Sequence, residues 1–267
     1  MELIWQGIVK AVELVFGLDA EIWEITWLSL KISGSATLIS LLLGVPLGIA
    51  LALLRFPGRN TAVALINTGM GLPPVVVGLF VSIFLWRSGP LGFMELIYSP
   101  SAMVIAQVII AFPIVAGLSL ASFQALDPKL ALQLLGIGAS KPQLLWLLCK
   151  EARLPLLAAV MAGFGGVISE VGASMMVGGN IRGQTRVLTT ATVLETGKGN
   201  FDIAIALGLI LLALTFTINF FLTRIQQREY LRWPKLSQPC ATSPFITVNT
   251  LPCSAPLWKS ARVTYWP

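Results

Sequence analysis

Five windows of the sequence are apolar over about the length that a bilayer requires. They cover residues 27–54, 62–86, 102–122, 154–177 and 201–223. A hydrocarbon core about 30 Å thick is crossed by roughly 20 helical residues. Only helices and closed barrels satisfy their backbone hydrogen bonds in lipid, and apolar runs without period-two alternation favour helices. We therefore predict an all-α polytopic membrane protein with five transmembrane helices.

Residues 1–26 are predicted to form an outer, interfacial segment. An apolar face that includes Trp5 and Ile8 is interrupted by Lys10 and Glu13, as in a helix that lies in the membrane interface. A sixth span in this segment is the alternative. The first residues lack the basic region of a cleaved signal peptide, so we expect the first spanning helix to serve as an uncleaved insertion signal.

Basic residues concentrate in three connections, and they predict the orientation of the chain. These residues are Arg55 and Arg59, then Lys129, Lys141, Lys150 and Arg153, and finally Arg224, Arg228, Arg232 and Lys235. Lys and Arg accumulate in short cytoplasmic loops. The three connections and the C-terminus are therefore predicted to be cytoplasmic. Topology explains the net charge of +6, and no nucleic-acid partner is expected.

The chain divides into a transmembrane domain, residues 27–228, and a tail, residues 229–267. After Trp233 the tail is rich in Pro, Ser and Thr without helical periodicity, which predicts disorder. Cys240 and Cys253 are expected to be plain thiols in it. With three cysteines and no histidine, the sequence offers no recognisable zinc-ligand cluster, and no metal site is predicted.

Glycine and proline predict local features within the spans. Gly44 and Gly48 form a G-x-x-x-G pair, which allows close approach of two helix backbones. Residues 69–74 run from a glycine to two consecutive prolines, and we predict a helix break there because proline removes a backbone donor.

The long connection over residues 123–153 carries the pattern of a helix–turn–helix elbow. Asp127 is suited to cap a first helix, and Gly138 can adopt the positive φ that ends it. Ser140 and Gln143 form a capping-box pattern that begins a second helix. Its apolar residues predict either a protein partner or simple adsorption to the membrane surface.

Glu170 is a carboxylate inside an apolar, glycine-rich run. An ionised residue at the centre of a membrane helix costs roughly 2.5–3.5 kcal/mol, so such acids usually face a bundle interior or an aqueous path. We therefore predict that Glu170 belongs to a pathway or a gate.

The elbow resembles the cytoplasmic coupling loop of ABC importer permeases, on residues 132–143 and the following Arg153-Leu-Pro155. In that family the loop docks on the ATPase. By this resemblance the turn matches Gly138, Ala139 and Ser140, and the later proline of the motif matches Pro155. The candidate ATPase-coupling residues are Asp127, Gly138, Ala139, Ser140 and Pro155.

A second stretch, residues 151–181, is similar to tungstate-type permeases within the molybdate and sulfate importer group. It includes Ser169-Glu-Val-Gly-Ala-Ser-Met-Met-Val-Gly-Gly-Asn-Ile181. The two matches and the five-span layout cover roughly residues 27–228. The resemblance implies a subunit, in a prokaryotic plasma membrane, that moves tungstate into the cytoplasm. Import of molybdate or of oxyanions in general is the alternative.

The resemblance also implies partners. The sequence has no G-x-x-x-x-G-K-S/T phosphate loop, so the chain is expected to be a transport subunit and not an enzyme, without a cofactor of its own. ATP and Mg²⁺ would be bound by separate ABC ATPase subunits. Two permease copies, the surrounding lipid and an extracytoplasmic oxyanion-binding protein complete the expected assembly.

A tetrahedral dianion crossing the membrane needs hydrogen-bond donors and water. Gln184, Thr185 and Thr189 offer such donors beside the fourth window. Because a carboxylate would repel the anion, Glu170 is expected to act as a structural gate that accepts hydrogen bonds from a facing helix. The candidate pathway and gate residues are Ser169, Glu170, Gly172, Ala173, Ser174, Met175, Met176, Gly178, Gly179 and Asn180.

Arg182 and Arg186 give an outer connection an unusual positive excess. They are candidates for an outer mouth that attracts an anion. The alternative is contact with lipid phosphates or a neighbouring subunit.

Two other function classes remain open from the sequence. An ion-coupled secondary transporter is disfavoured because five spans without an inverted repeat are unusual for that class. An intramembrane enzyme needs a nucleophile and a base within reach, and the chain has no histidine and no aspartate at the centre of a span.

Overall fold

A computed structural model describes residues 2–17 and 20–232, and every regular element within those ranges is helical. In chain order the helices are α1 (Glu2–Phe16), α2 (Ala20–Leu53), α3 (Arg59–Met70), α4 (Pro74–Leu85), α5 (Pro100–Gln124), α6 (Pro128–Gly136), α7 (Lys141–Glu151), α8 (Arg153–Ile168), α9 (Gly172–Gly178), α10 (Leu188–Lys198) and α11 (Phe201–Arg232). The all-α fold class is confirmed. Residues 233–267 of the predicted tail, including Cys240 and Cys253, lie outside the described residues.

Three helices and two bent helix pairs account for the predicted spans. The helices α2, α5 and α11 are each long and apolar enough to cross a membrane alone. The pairs α3–α4 and α8–α9 pass the same test together, with bends of 103° and 57°. If each bent pair is one span, the described chain has five, as the sequence predicts.

The break predicted within residues 69–74 is confirmed. Helix α3 ends at Met70 and α4 begins at Pro74, which occupies a first-turn position where no backbone N–H is needed. Gly69 lies against α5, since a Cβ added there would be 2.8 Å from the Cβ of Pro113. The break therefore lies at a point of close packing.

Several boundaries differ from the prediction. Helix α11 continues to Arg232, so residues 229–232 of the predicted tail are helical. Helix α2 begins at Ala20, seven residues before the predicted start at residue 27, because Ile25 is buried against Leu188 and Leu207 and extends the packed face outward. The predicted outer segment thus contains α1 and about two turns of α2. The fourth window is not one continuous helix, because it divides at residues 169–171.

Helix α5 lies at the centre of the bundle and contacts α2, α3, α4, α8 and α9. Its closest neighbour is α2, where the predicted role of the G-x-x-x-G pair is confirmed. A Cβ added at Gly48 would lie 2.6 Å from the Cβ of Ser119, and one at Gly44 would lie 3.0 Å from a methyl of Val115. Small residues here let the two backbones approach closely.

Candidate functional site

Glu170 lies in the bend between α8 and α9 and not at the centre of a helix. Its carboxylate Oε1 accepts a hydrogen bond from the backbone N–H of Ala173 at 3.1 Å. This bond satisfies one of the N–H groups that the start of α9 leaves without a helical partner. The expected acceptor role is therefore present, but the donor belongs to the same bent span and not to a facing helix.

Helix α9 is pressed against α4 through small residues. A Cβ added at Gly78 of α4 would lie 2.6 Å from the Cα of Ala173, and one at Gly172 would lie 2.4 Å from a methyl of Val75. Ala173 is fully buried, together with Val177, in the cluster that α4, α5 and α9 share. Close contact with α4 thus fixes the position of the short helix after the bend.

Gln107 of α5 joins both sides of the bend, and the sequence reasoning missed it. The side chain is 3% exposed. Its Nε2 donates to the carbonyl oxygen of Val167 and to Ser174 Oγ, each at 3.4 Å. Its Oε1 is buried and has no hydrogen-bond partner within the described part of the chain. The sequence does contain a signal for this role, because Gln107 places a polar amide inside the apolar window 102–122, as Glu170 places a carboxylate inside another.

The other predicted pathway residues do not form one exposed surface. Ser174 is buried and Met175 is half-buried, whereas Ser169 and Met176 are exposed. The hydroxyl of Ser169 donates to the carbonyl oxygen of Gly165 at 2.8 Å. The hydroxyl groups of Ser169 and Ser174, two of the predicted donors, therefore already form hydrogen bonds within the chain.

The segment after α9 is a tight turn with several positive φ angles. These occur at Gly179 (69°), Asn180 (51°) and Gly183 (72°). Asn180 Nδ2 donates to the carbonyl oxygen of Thr190 at 3.3 Å. Thr185 is fully buried, and its hydroxyl donates to the carbonyl oxygen of Gly178 at 2.5 Å. Like Gly178, which lies against Met103, these residues serve the packing of the turn.

Arg182 and Arg186 both pair with Glu21 in the first turn of α2. The Arg186 guanidinium lies 3.4 Å from one carboxylate oxygen, and Arg182 forms a short ion pair with the other. Arg182 is the more exposed of the two, and the side chain of Arg186 is largely covered. The two arginines predicted to form an outer mouth are thus paired with a carboxylate of the same chain.

The predicted caps and turn are present in the elbow formed by α6 and α7. Asp127 Oδ1 accepts from the N–H of Lys129 at 2.8 Å, and Gln143 Oε1 accepts from the N–H of Ser140 at 2.8 Å. Gly138 has a φ of 86°, as its place after α6 predicts.

The turn of the elbow presents an apolar concavity of about 450 Å³. Its lining residues are Ile137, Gly138, Ala139, Gln143, Trp146 and Leu147. Ile137 is 82% exposed, and Trp146 is also largely exposed. Pro155 lies apart from this concavity, in the first turn of α8, where its missing N–H costs nothing. The five candidate coupling residues therefore lie at three places: Asp127 caps the start of α6, Gly138, Ala139 and Ser140 form the turn, and Pro155 lies at the start of α8.

Among the residues that the structure describes, no group of three or more His, Cys, Asp or Glu side chains could hold a metal ion.

Comparison with known proteins gives a consistent result. Residues 44–229 match the family described as binding-protein-dependent transport system inner membrane component. The tungstate uptake system permease of Peptoclostridium acidaminophilum is 39% identical over 227 residues, which are 85% of this chain and 100% of that protein. A probable anion ABC transporter permease of Haloferax volcanii is 41% identical over 210 residues, 77% of this chain and 90% of that protein.

A more distant sequence relative and a solved structure also match this chain. The molybdenum transport permease of Escherichia coli strain K12 is 26% identical over 219 residues, 78% of this chain and 96% of that protein. Among solved structures, the MetNI methionine ABC transporter in an inward-facing form has a TM-score of 0.64 at 18% identity, covering 81% of this chain and 97% of that one. The structural likeness supports the fold.

Proposed function

The chain belongs to the family of binding-protein-dependent transport system inner membrane components, and from that premise we propose that it is the permease subunit of an ATP-driven tungstate importer. One observation carries the choice of substrate. The tungstate uptake permease of Peptoclostridium acidaminophilum aligns with this chain over its whole length at 39% identity. A second tungstate uptake permease, from Campylobacter jejuni, is 32% identical over 85% of this chain.

Molybdate, or tetrahedral oxyanions in general, is the second candidate substrate. Molybdate has the same charge and shape as tungstate, so hydrogen-bond donors fixed for one anion also suit the other. The named molybdenum permeases are more distant, at 26% identity for the Escherichia coli protein. This ordering of relatives favours tungstate.

The energy for transport would come from a separate ABC ATPase, which binds ATP and Mg²⁺. The sequence lacks a P-loop, so the chain does not bind ATP in that manner. The elbow offers a suitable docking surface, because Ile137 and Trp146 expose apolar area around a turn whose backbone is fixed by caps. Docking of a cytoplasmic ATPase requires the elbow to face the cytoplasm, and the distribution of basic residues predicts this orientation for both the elbow and the C-terminus.

We place the gate at the bend that contains Glu170. The carboxylate accepts a hydrogen bond from the N–H of Ala173, so its charge faces the start of α9. Ser169 and Met176 are exposed beside it and are available to a pathway between two permease copies. A two-fold axis there would bring paired bends together. Transport would then require α9 and α8 to move relative to each other around the bend.

Accumulation of trace tungstate, measured by elemental analysis in cells with and without this chain, tests the proposal. We expect uptake that depends on the chain and persists in excess sulfate. Suppression by molybdate at equal concentration would widen the substrate class to oxyanions of this size. An absence of chain-dependent tungstate uptake would contradict the proposed substrate.

A further inference from the structure

The turn between α9 and α10 is fastened to α2 at two points. Glu21 pairs with Arg182 and Arg186 of the turn. Two turns further along α2, Ser29 Oγ accepts from the backbone N–H of Leu188 at 2.9 Å in a buried position. These contacts join residues about 160 positions apart in the sequence, so they are a product of the fold and not of local preference.

The turn itself is internally cross-linked. The carbonyl oxygen of Ile181 accepts from the N–H groups of Gln184, Thr185 and Arg186 at 3.2, 3.0 and 3.1 Å. The N–H of Ile181 donates to Thr185 Oγ1 at 3.0 Å. Residues 181–186 therefore form a loop closed by its own hydrogen bonds, and this loop carries both arginines.

The far side of the same segment reaches the bend. Thr189 Oγ1 donates to the carbonyl oxygen of Glu170 at 3.2 Å. Asn180, two residues after the end of α9, donates to the carbonyl oxygen of Thr190 at 3.3 Å. The segment 179–190 is thus bonded to α2 by Leu188 and, at the next residue, to the Glu170 bend by Thr189. The bond between Asn180 and Thr190 closes the segment on itself.

We propose that Glu21 is a positioning residue for transport: its pairs with Arg182 and Arg186 hold the segment 179–190 against α2. The segment in turn holds α8 and α9 at the bend angle of 57° seen in this structure. Release of these pairs is a step in opening the span when the extracytoplasmic binding protein docks. Arg182 is 72% exposed and is accessible to such a partner from solution. This inference rests on the proposed importer function.

The test uses the complete importer in proteoliposomes, with the ATPase inside and the tungstate-loaded binding protein outside. ATP hydrolysis is measured with and without binding protein for Glu21→Gln, for Arg182→Gln with Arg186→Gln, and for all three changes together. Glu24→Gln is the matched control, because Glu24 is an exposed carboxylate one turn along α2 with no ion pair among the described residues. Thermal unfolding of each variant accounts for changes in stability.

We expect Glu21→Gln to raise hydrolysis without binding protein by about two- to five-fold, the effect of losing partly exposed ion pairs. The hydrolysis rate with binding protein should stay the same. The ratio of the rates with and without binding protein should therefore fall by the same factor. The triple variant should match Glu21→Gln, because all three changes break the same contact. An unchanged ratio in Glu21→Gln, or an equal change in Glu24→Gln, would overturn the inference and leave the importer function intact. An unstimulated wild-type importer would instead overturn the proposed function and this inference with it.

Discussion

Glu170 caps the helix that follows it: its Oε1 lies 3.1 Å from the backbone nitrogen of Ala173. An acid in a membrane span commonly marks a site that binds or conducts ions. Here the carboxylate is used within the chain, at a bend of 57° between α8 and α9. The acid and the bend are therefore one feature, because the carboxylate accepts the N–H that the bend leaves at the start of α9.

The capping bond predicts different results for two substitutions of Glu170. Glu170→Gln keeps an oxygen acceptor, so the start of α9 and the thermal stability should be preserved. Glu170→Ala leaves the Ala173 N–H without a partner and should cost about 1 kcal/mol. Thermal unfolding in detergent and tungstate uptake are measured for both variants. Full stability with lost uptake in Glu170→Gln would show that the charge itself is needed.

The contact of α4 with α9 predicts the effect of adding one methyl group. Gly78→Ala places a Cβ 2.6 Å from the Cα of Ala173, and the helices must separate to accept it. We expect destabilisation of about 1–3 kcal/mol, as for other overpacked interiors. Gly208→Ala is the control, because a Cβ there has no neighbour within 4 Å. Equal stability of the two variants would contradict the packing described.

The elbow predicts that Gly138 and Gly136 respond differently to alanine. Gly138 has a φ of 86°, so Gly138→Ala strains the turn by about 1 kcal/mol or more, although no atom lies within 4 Å of the added Cβ. Gly136 is helical and has equally open space, so Gly136→Ala should be tolerated. ATP-driven uptake should fall only in Gly138→Ala and recover in Gly138→Asn. Loss of uptake in both alanine variants would instead indicate a general need for small residues.

The bridge made by Gln107 predicts non-additive stabilities. Ser174→Ala and Gln107→Leu each remove the contact between the two side chains, at 3.4 Å in this structure. Once Gln107→Leu is present, Ser174→Ala should have no further effect, and the coupling should be about 0.5 kcal/mol or more. Thr217→Ala, whose hydroxyl donates within its own helix, is the control partner. Additive thermal shifts for Gln107 and Ser174 would show that the bridge contributes nothing.

Features set by local chemistry could be predicted from the sequence. The apolar windows, the break before Pro74 and the Asp127 cap each depend on residues close together in the chain. The G-x-x-x-G pair on α2 was equally readable, because its spacing places both glycines on one helix face. In each case hydrogen bonding or helical geometry leaves few alternatives.

Features set by contacts distant in sequence could not be predicted in this way. The division of the fourth window could not be predicted because apolar residues flank Ser169 and Glu170 on both sides and no proline lies at residues 169–171 to mark a break. The bend is recognised in the structure by the bond from the Ala173 N–H to Glu170. The pairs of Arg182 and Arg186 with Glu21 join residues that are 161 and 165 positions apart in the sequence. The role of Gln107 depends on the packing of three helices, which no local pattern records.

Tungstate uptake into proteoliposomes that hold this chain and its ATPase, driven either by ATP or by an imposed ion gradient, is the most direct test of an ATP-driven importer. We expect uptake that requires ATP, the ATPase and the binding protein, with no response to an ion gradient alone. Uptake driven by the gradient in the absence of ATP would contradict this expectation and indicate a secondary transporter.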